Sequence, residues 1–298
     1  MISGVYVPLL TAFAPDGRAD PGACAEHARW VVAAGVDGLV PFGTSGEGPS
    51  LSLREKRAVL DALVAAVPGT PLVPAITESS LDTALQLVQV ANDAPATAVM
   101  LLPPFYFRPL GDAGLRRYMS EILAASVHPV LLYHIPEFGP PVPVPLVAEL
   151  PVWGVKDSGG DLSYTRAVLA AGKQVMVGAE HTIVDAVQAG AAGSIPGLAN
   201  ILPEHLVAVV AAARAGNTAA AGKILDQALA FRDEMLGALG PFEWMSAMKL
   251  LARRRHGVDL GGVRAPLPDA PGGVVSQLEA RLASLLAEVE SGSLLNRG

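Results

Sequence analysis

Lys156 ends the apolar run Val152-Trp153-Gly154-Val155-Lys156-Asp157 and is one of only five lysines in the chain. Lys56, Lys223 and Lys249 fall in helical patterns and Lys173 follows a glycine in a turn, so Lys156 alone interrupts a strand-like stretch. An ammonium placed there must be paired or must shed its proton, because burying an unpaired charge is costly. The neutral amine is a nucleophile for carbonyl carbons. Two readings follow: a structural ion pair with Asp157 or another carboxylate, or an amine that adds to a carbonyl substrate to give a carbinolamine.

Carbinolamine chemistry also needs groups that move protons as water leaves. Tyr133, in Tyr133-His134-Ile135-Pro136, is the candidate acid–base group. Thr44 can pass protons from it, and Tyr106 can continue the relay toward solvent. The turn Gly43-Thr44-Ser45-Gly46-Glu47-Gly48 offers hydroxyls and backbone N–H groups that suit a substrate carboxylate. Each residue has a plainer job beside this one. Thr44 and Ser45 suit helix caps or turns, Tyr133 suits a packed core, and Tyr106 with Phe105 suits an interface. Glu47 reads as a structural residue of its turn.

Other chemistries fit less well. His134, Glu180 and His181 are the only candidate metal group, and they come from two strands without a third. The Gly43–Gly48 turn lacks the lysine of a phosphate loop. It is also not the Gly-x-Ser-x-Gly elbow of a serine hydrolase. No metal or organic cofactor is expected.

These residues need a scaffold that gathers strand ends. Continuous apolar runs predict eight strands, at 4–10, 38–43, 72–77, 98–103, 129–135, 152–157, 174–179 and 193–198. Amphipathic helical patterns lie between them, and Ser52-Leu53-Arg54-Glu55 has capping-box spacing. The alternation predicts an α/β fold, a (β/α)8 barrel with additional C-terminal helices, with a doubly wound sheet as the alternative. The barrel is expected over 1–215. A helical appendage is expected over 216–298, with helices at 217–238, 241–256 and 272–291. In such a barrel the active residues sit at strand C-terminal ends, where Ile195, Phe138 and Glu180 join Thr44 and Ser45 as expected substrate contacts.

Composition narrows the partners. The chain has 298 residues, 51% of them hydrophobic, and a net charge of -7. A nucleic-acid surface needs positive charge, and Arg253-Arg254-Arg255 is a lone short run, so no nucleic-acid partner is expected. The single cysteine, Cys24, permits neither an internal disulfide nor a thiolate metal cluster. No signal-peptide pattern and no membrane-length apolar run appears, and a cytoplasmic location is expected.

Gly43-Thr44-Ser45-Gly46-Glu47, Tyr133-His134-Ile135-Pro136 and Gly154-Val155-Lys156-Asp157 occur in that order. Together with the Tyr106-Phe107-Arg108-Pro109 loop and the segment 193–200, they resemble the dihydrodipicolinate synthase/N-acetylneuraminate lyase family along nearly the whole chain. The resemblance implies a barrel assembled as a homotetramer, a dimer of dimers. It implies Lys156 as the Schiff-base lysine for pyruvate or another 2-oxo acid and Tyr133 as the acid–base residue. Thr44 and Tyr106 would be relay partners, Tyr106 reaching in from a neighbouring subunit. Thr44 and Ser45 would hold the carboxylate.

Two departures bear on the substrate. In dihydrodipicolinate synthases an arginine stands two residues after the proline of the Tyr-x-x-Pro strand end, and here that position is Phe138, preceded by Glu137. Neither replaces the paired donors of a guanidinium. The serine that N-acetylneuraminate lyases place after strand eight aligns with Gly197. The expectation is therefore a Schiff-base lyase or aldolase joining or splitting pyruvate and an aldehyde, such as a 2-keto-3-deoxy sugar acid aldolase. 4-Hydroxy-tetrahydrodipicolinate synthase is disfavoured by Phe138, and dehydration of a sugar-acid derivative also competes. The rival of another class is a non-catalytic barrel that binds 2-oxo acids, which would have no need of a proton relay.

Overall fold

The computed structural model describes residues 2–107 and 109–291. Arg108 of the expected Tyr-x-Arg-Pro loop, Met1 and residues 292–298 lie outside them. Eight strands alternate with helices, as the apolar runs predict. They are β1 (Gly4–Val7), β2 (Gly38–Leu39), β3 (Ala75–Ile76), β4 (Val99–Leu101), β5 (Val130–His134), β6 (Gly154–Asp157), β7 (Gln174–Val177) and β8 (Gly193–Ser194). All pair in parallel, in the order β2-β1-β8-β7-β6-β5-β4-β3. The ring closes between β2 and β3, where Leu39 N donates to Pro71 O and Val73 N donates to Leu39 O, both at 2.9 Å. This is a (β/α)8 barrel, not a doubly wound sheet.

All eight strands are shorter than their apolar runs, and three of them, β2, β3 and β8, are cut to two residues each. The expected runs at 38–43, 72–77 and 193–198 contain Pro41, Pro74 and Pro196, which have no N–H to give a ladder. Pairing nevertheless continues past the ladder ends, with Val40 N donating to Val7 O at 2.7 Å and Ala75 N to Pro41 O at 2.9 Å.

The outer helices are α1 (Pro21–Ala33), α2 (Leu53–Ala66), α3 (Leu81–Asn92), α4 (Asp112–Ala125), α5 (Val144–Glu149), α6 (Leu162–Ala170), α7 (Ile183–Gln188) and α8 (Pro203–Arg214). Their starts are set by local chemistry. Asp20, Ser80 and Asp161 accept N-terminal amides of α1, α3 and α6, and Ser52 forms a full capping box with Glu55 at α2. Three more helices follow: α9 (Thr218–Ala238), α10 (Glu243–His256) and α11 (Gly272–Ser291).

Strand register sets the inner layer that matters. Tyr133 on β5 is level with Lys156 on β6, Lys156 with Met176 on β7, and Met176 with Gly193 on β8. Parallel partners at one level face the same way, so Tyr133 and Lys156 share a side of the sheet. Gly193 is required here, since a Cβ on it would lie 2.0 Å from Gly4 O and its φ is +155.

Candidate active site

Lys156 is 4% exposed and Tyr133 3%. The Lys156 Nζ lies 4.2 Å from the Tyr133 ring centroid. Lys156 has no ion pair or hydrogen bond among the described residues. Its sequence neighbour Asp157, the obvious partner, is spent elsewhere: it accepts Gly159 N at 2.9 Å and Thr165 Oγ1 at 2.7 Å. The ion-pair reading of Lys156 is thereby removed.

Lys156 is not the only buried lysine, although the strand argument singles it out. Lys56 and Lys249 are 0% and 1% exposed. Each has a carboxylate: Lys56 pairs with Glu78, and Lys249 Nζ lies 2.5 Å from Glu47 Oε1. Burial lowers the pKa of both amines, and their glutamates draw it back up. Among three buried lysines, Lys156 alone lacks a carboxylate partner, and it lines a cavity.

That cavity measures about 340 Å³ and is lined by Lys156, Tyr133, Thr44, Ser45, Ile195, Phe138 and Glu180 among others. Thr44 Oγ1 is 3.3 Å from Tyr133 OH, so a hydroxyl pair stands beside the amine. Neither Thr44 nor Ser45 caps α2, because Ser52 does. Gly178 gives the lysine room: a Cβ there would lie 3.1 Å from Lys156 Cε and 2.0 Å from Ser158 Oγ. Gly197 lies between two lining groups, its missing Cβ 3.6 Å from Glu180 Oε1 and 3.9 Å from Ser45 Oγ.

The turn that carries Thr44 and Ser45 is strained and clamped. Phe42 and Glu47 flank it with φ of 67 and 52, a region that residues with a Cβ adopt at a cost. Glu47, 2% exposed, holds the turn from outside through Lys249 of α10 and through Arg264 N, which donates to its Oε2 at 2.9 Å. Thr11 Oγ1 donates to Gly46 O at 2.6 Å from the β1 end. The structural reading of Glu47 thus gains a specific content: it fixes the hydroxyl turn.

Other expected residues are placed as follows. Tyr106 is 78% exposed, packs edge-on against Phe107 with centroids 5.3 Å apart, and does not line the cavity within this chain. Glu180 lines it with both oxygens engaged, Oε1 accepting Leu198 N at 3.3 Å and Oε2 facing Arg232 Nη1 at 3.5 Å. His134 is structural: Nδ1 accepts Val142 N at 3.1 Å and the ring stacks on Tyr164 at 3.9 Å. Burial lowers its pKa and Asp157 partly opposes this. His181 is exposed, and no group of metal-ligating side chains converges among the described residues.

Sequence reasoning missed one wall. Arg232, Met235 and Leu236 of α9 and Trp244 and Met248 of α10 line the same cavity. These helices read as an appendage, yet they complete the site. The only local signal is apolar surplus near the α9 end and α10 start.

Comparison with known proteins agrees with the geometry. The model of the dihydrodipicolinate synthetase family matches residues 1–282. A 4-hydroxy-tetrahydrodipicolinate synthase of Thermomicrobium roseum is 31% identical over 307 residues, covering 100% of this chain and 98% of the relative. 4-Hydroxy-tetrahydrodipicolinate synthase 1 of Streptomyces coelicolor is 33% identical over 94% of this chain and 93% of its own. A variant of the Sulfolobus solfataricus 2-keto-3-deoxygluconate aldolase superposes with a TM-score of 0.89 at 26% identity, covering 99% of this chain and 100% of that one.

Proposed function

The chain belongs to the dihydrodipicolinate synthetase family of Schiff-base lyases, and we propose that it joins or splits pyruvate and an aldehyde through an imine on Lys156. The substrate on the cleavage side is a 4-hydroxy-2-oxo acid, the class that includes 2-keto-3-deoxy sugar acids. One observation carries the reading: Lys156 is the single buried lysine without a carboxylate, and it faces a cavity beside a hydroxyl pair. The likeness to a 2-keto-3-deoxygluconate aldolase supports the C–C lyase direction.

The steps balance without a redox partner. The Lys156 amine adds to the C2 carbonyl, and loss of water leaves an iminium that withdraws electrons from C3. In synthesis C3 loses a proton to give an enamine, and C3 bonds to the aldehyde carbon while its oxygen takes a proton. Water then releases the product and the free amine. Tyr133 is the acid–base group for these transfers, and Thr44 orients its hydroxyl. The Thr44–Ser45 turn holds the 2-oxo acid carboxylate, and Ile195 walls the inner end. No metal or organic cofactor takes part.

Tyr106 serves from the partner subunit of a homotetramer, which fits its exposure and its distance from its own chain's cavity. The enzyme works in the cytoplasm; no helix among the described residues is long and apolar enough to cross a membrane. Phe138 in place of an arginine speaks against aspartate semialdehyde as partner. The test is product formation from pyruvate and a panel of aldehydes, with pyruvate release in reverse. Lys156-dependent turnover supports the proposal. Pyruvate-dependent thermal stabilisation without turnover on any aldehyde would instead support the non-catalytic binder.

A further inference from the structure

The half of the cavity lining that comes from α9, α10 and the loop after β5 is built from groups that the imine chemistry does not need. Lys156 and Tyr133 line the cavity from β6 and β5 and Ile195 from just past β8, whereas Leu236, 46% exposed, lines it from α9. Half-buried Phe138 and Trp244 line the space, with buried Met235 and Met248. The Phe138 ring also lies 5.8 Å from that of Phe242, so aromatic surface continues beyond the lining.

Polar groups in this half are spent or acidic. Among the described lining residues Arg232 is the one guanidinium, and two carboxylates share it. Its Nη1 faces Glu180, and its Nε and Nη2 donate to Asp233 at 3.0 and 2.7 Å. Glu180 is itself held by Leu198 N. Glu137 is exposed and stands unpaired among the described residues. Glu137 and Glu180 against Arg232 leave this half net negative. An anionic aldehyde meets repulsion there. A polyhydroxy aldehyde would desolvate hydroxyls against Phe138, Trp244 and methionines and leave them unpaired, which is unfavourable.

We propose that the aldehyde partner is an uncharged aromatic aldehyde whose ring packs against Phe138 and Trp244. Aromatic pairs and sulfur–aromatic contacts with Met235 and Met248 favour a ring over an aliphatic chain. The product with pyruvate is a 4-aryl-4-hydroxy-2-oxobutanoate, made by the C–C bond formation described above. The inference rests on the imine reading of Lys156 and names its second substrate.

The experiment compares kcat/KM for benzaldehyde, D-glyceraldehyde and succinate semialdehyde at saturating pyruvate, with borohydride trapping of the pyruvate imine alongside. Benzaldehyde is expected to exceed both others by about tenfold or more. Trp244→Ala is expected to erase most of that preference through the KM for benzaldehyde, and Trp244→Phe to keep most of it. Phe138→Ser gives the same readout if Trp244→Ala does not fold. A trapped imine with glyceraldehyde or the semialdehyde equal to or better than benzaldehyde overturns this inference alone. So does a Trp244→Ala that lowers all three equally. Absence of a trapped imine overturns the underlying reading instead.

Discussion

Removing Lys249 tests how the hydroxyl turn is held. In Lys249→Met the Glu47 carboxylate stays buried with its cation gone, keeping only the Arg264 amide at 2.9 Å. Breaking a buried pair from one side costs roughly 3–5 kcal/mol. Gly262 O also loses its 2.7 Å donor, and the amine's place 4.3 Å from the Phe13 ring centroid is vacated. Against a typical folding stability of about 5–15 kcal/mol this is a severe loss, equivalent to roughly 5–8 °C in Tm for a chain of this length. Glu47→Gln with Lys249→Met replaces the pair by neutral groups and should recover at least half, because the uncompensated charge is gone. The assay is urea and thermal unfolding of the parent, both single variants and the double variant at one protein concentration. A coupling of about 2 kcal/mol or more between the two sites is expected. The KM for pyruvate should also rise in Lys249→Met, since Glu47 at φ 52 then no longer pins Thr44 and Ser45. Additive singles, or a Lys249→Met loss below about 1 kcal/mol, would refute the clamp.

Three further outcomes follow from the same structure. Tyr133→Phe deletes the hydroxyl 3.3 Å from Thr44 Oγ1 and keeps the ring; turnover should fall by roughly 10²–10⁴ with an unchanged melting curve, and undiminished turnover would remove Tyr133 from the relay. Gly178→Ala introduces a Cβ 3.1 Å from Lys156 Cε and 2.0 Å from Ser158 Oγ; it should slow imine formation more than it lowers stability, as read by borohydride trapping rates beside urea midpoints. Burial holds His27 at about 4, with its Nε2 3.0 Å from Asn200 Oδ1 and its Nδ1 3.0 Å from His256 Nε2. The unfolded residue titrates near 6.5. The folded pKa is the lower one, so the unfolded state binds more protons between the two values, and stability falls as pH drops from about 6.5 to about 4. His27→Gln should flatten the pH dependence of the urea midpoint in that window, and an unchanged slope would count against the assignment.

How much the residues announce differs from element to element. The eight strands are legible because each is a continuous apolar run covered on both faces, and the helix starts because Asp20, Ser52, Ser80 and Asp161 cap them within a few residues. Lys156 and Tyr133 are legible because a polar group ends an apolar strand, and their adjacency is a matter of register. The cavity wall supplied by α9 and α10 is not legible. Trp244 and Met235 reach the cavity because α9 and α10 fold back over the strand ends, a contact between distant segments with no local signature. Burial of Lys56 and Lys249 is hidden for the same reason. A lysine in an amphipathic helix reads as solvated, and only the loops bearing Glu78 and Glu47 bring the charge that lets it be buried. The sequence motif bearing Tyr106 does not show its placement either: the side chain is exposed and does not line the cavity of its own chain.

The central claim is that the unpaired amine of Lys156 forms an imine with a 2-oxo acid. The direct measurement is intact mass after incubation with pyruvate and borohydride, followed by peptide mapping of the adduct. The account predicts one reduced pyruvate adduct per chain, located on Lys156 and absent from Lys156→Ala. No adduct, or an adduct that persists in Lys156→Ala or maps to Lys56 or Lys249, would contradict it.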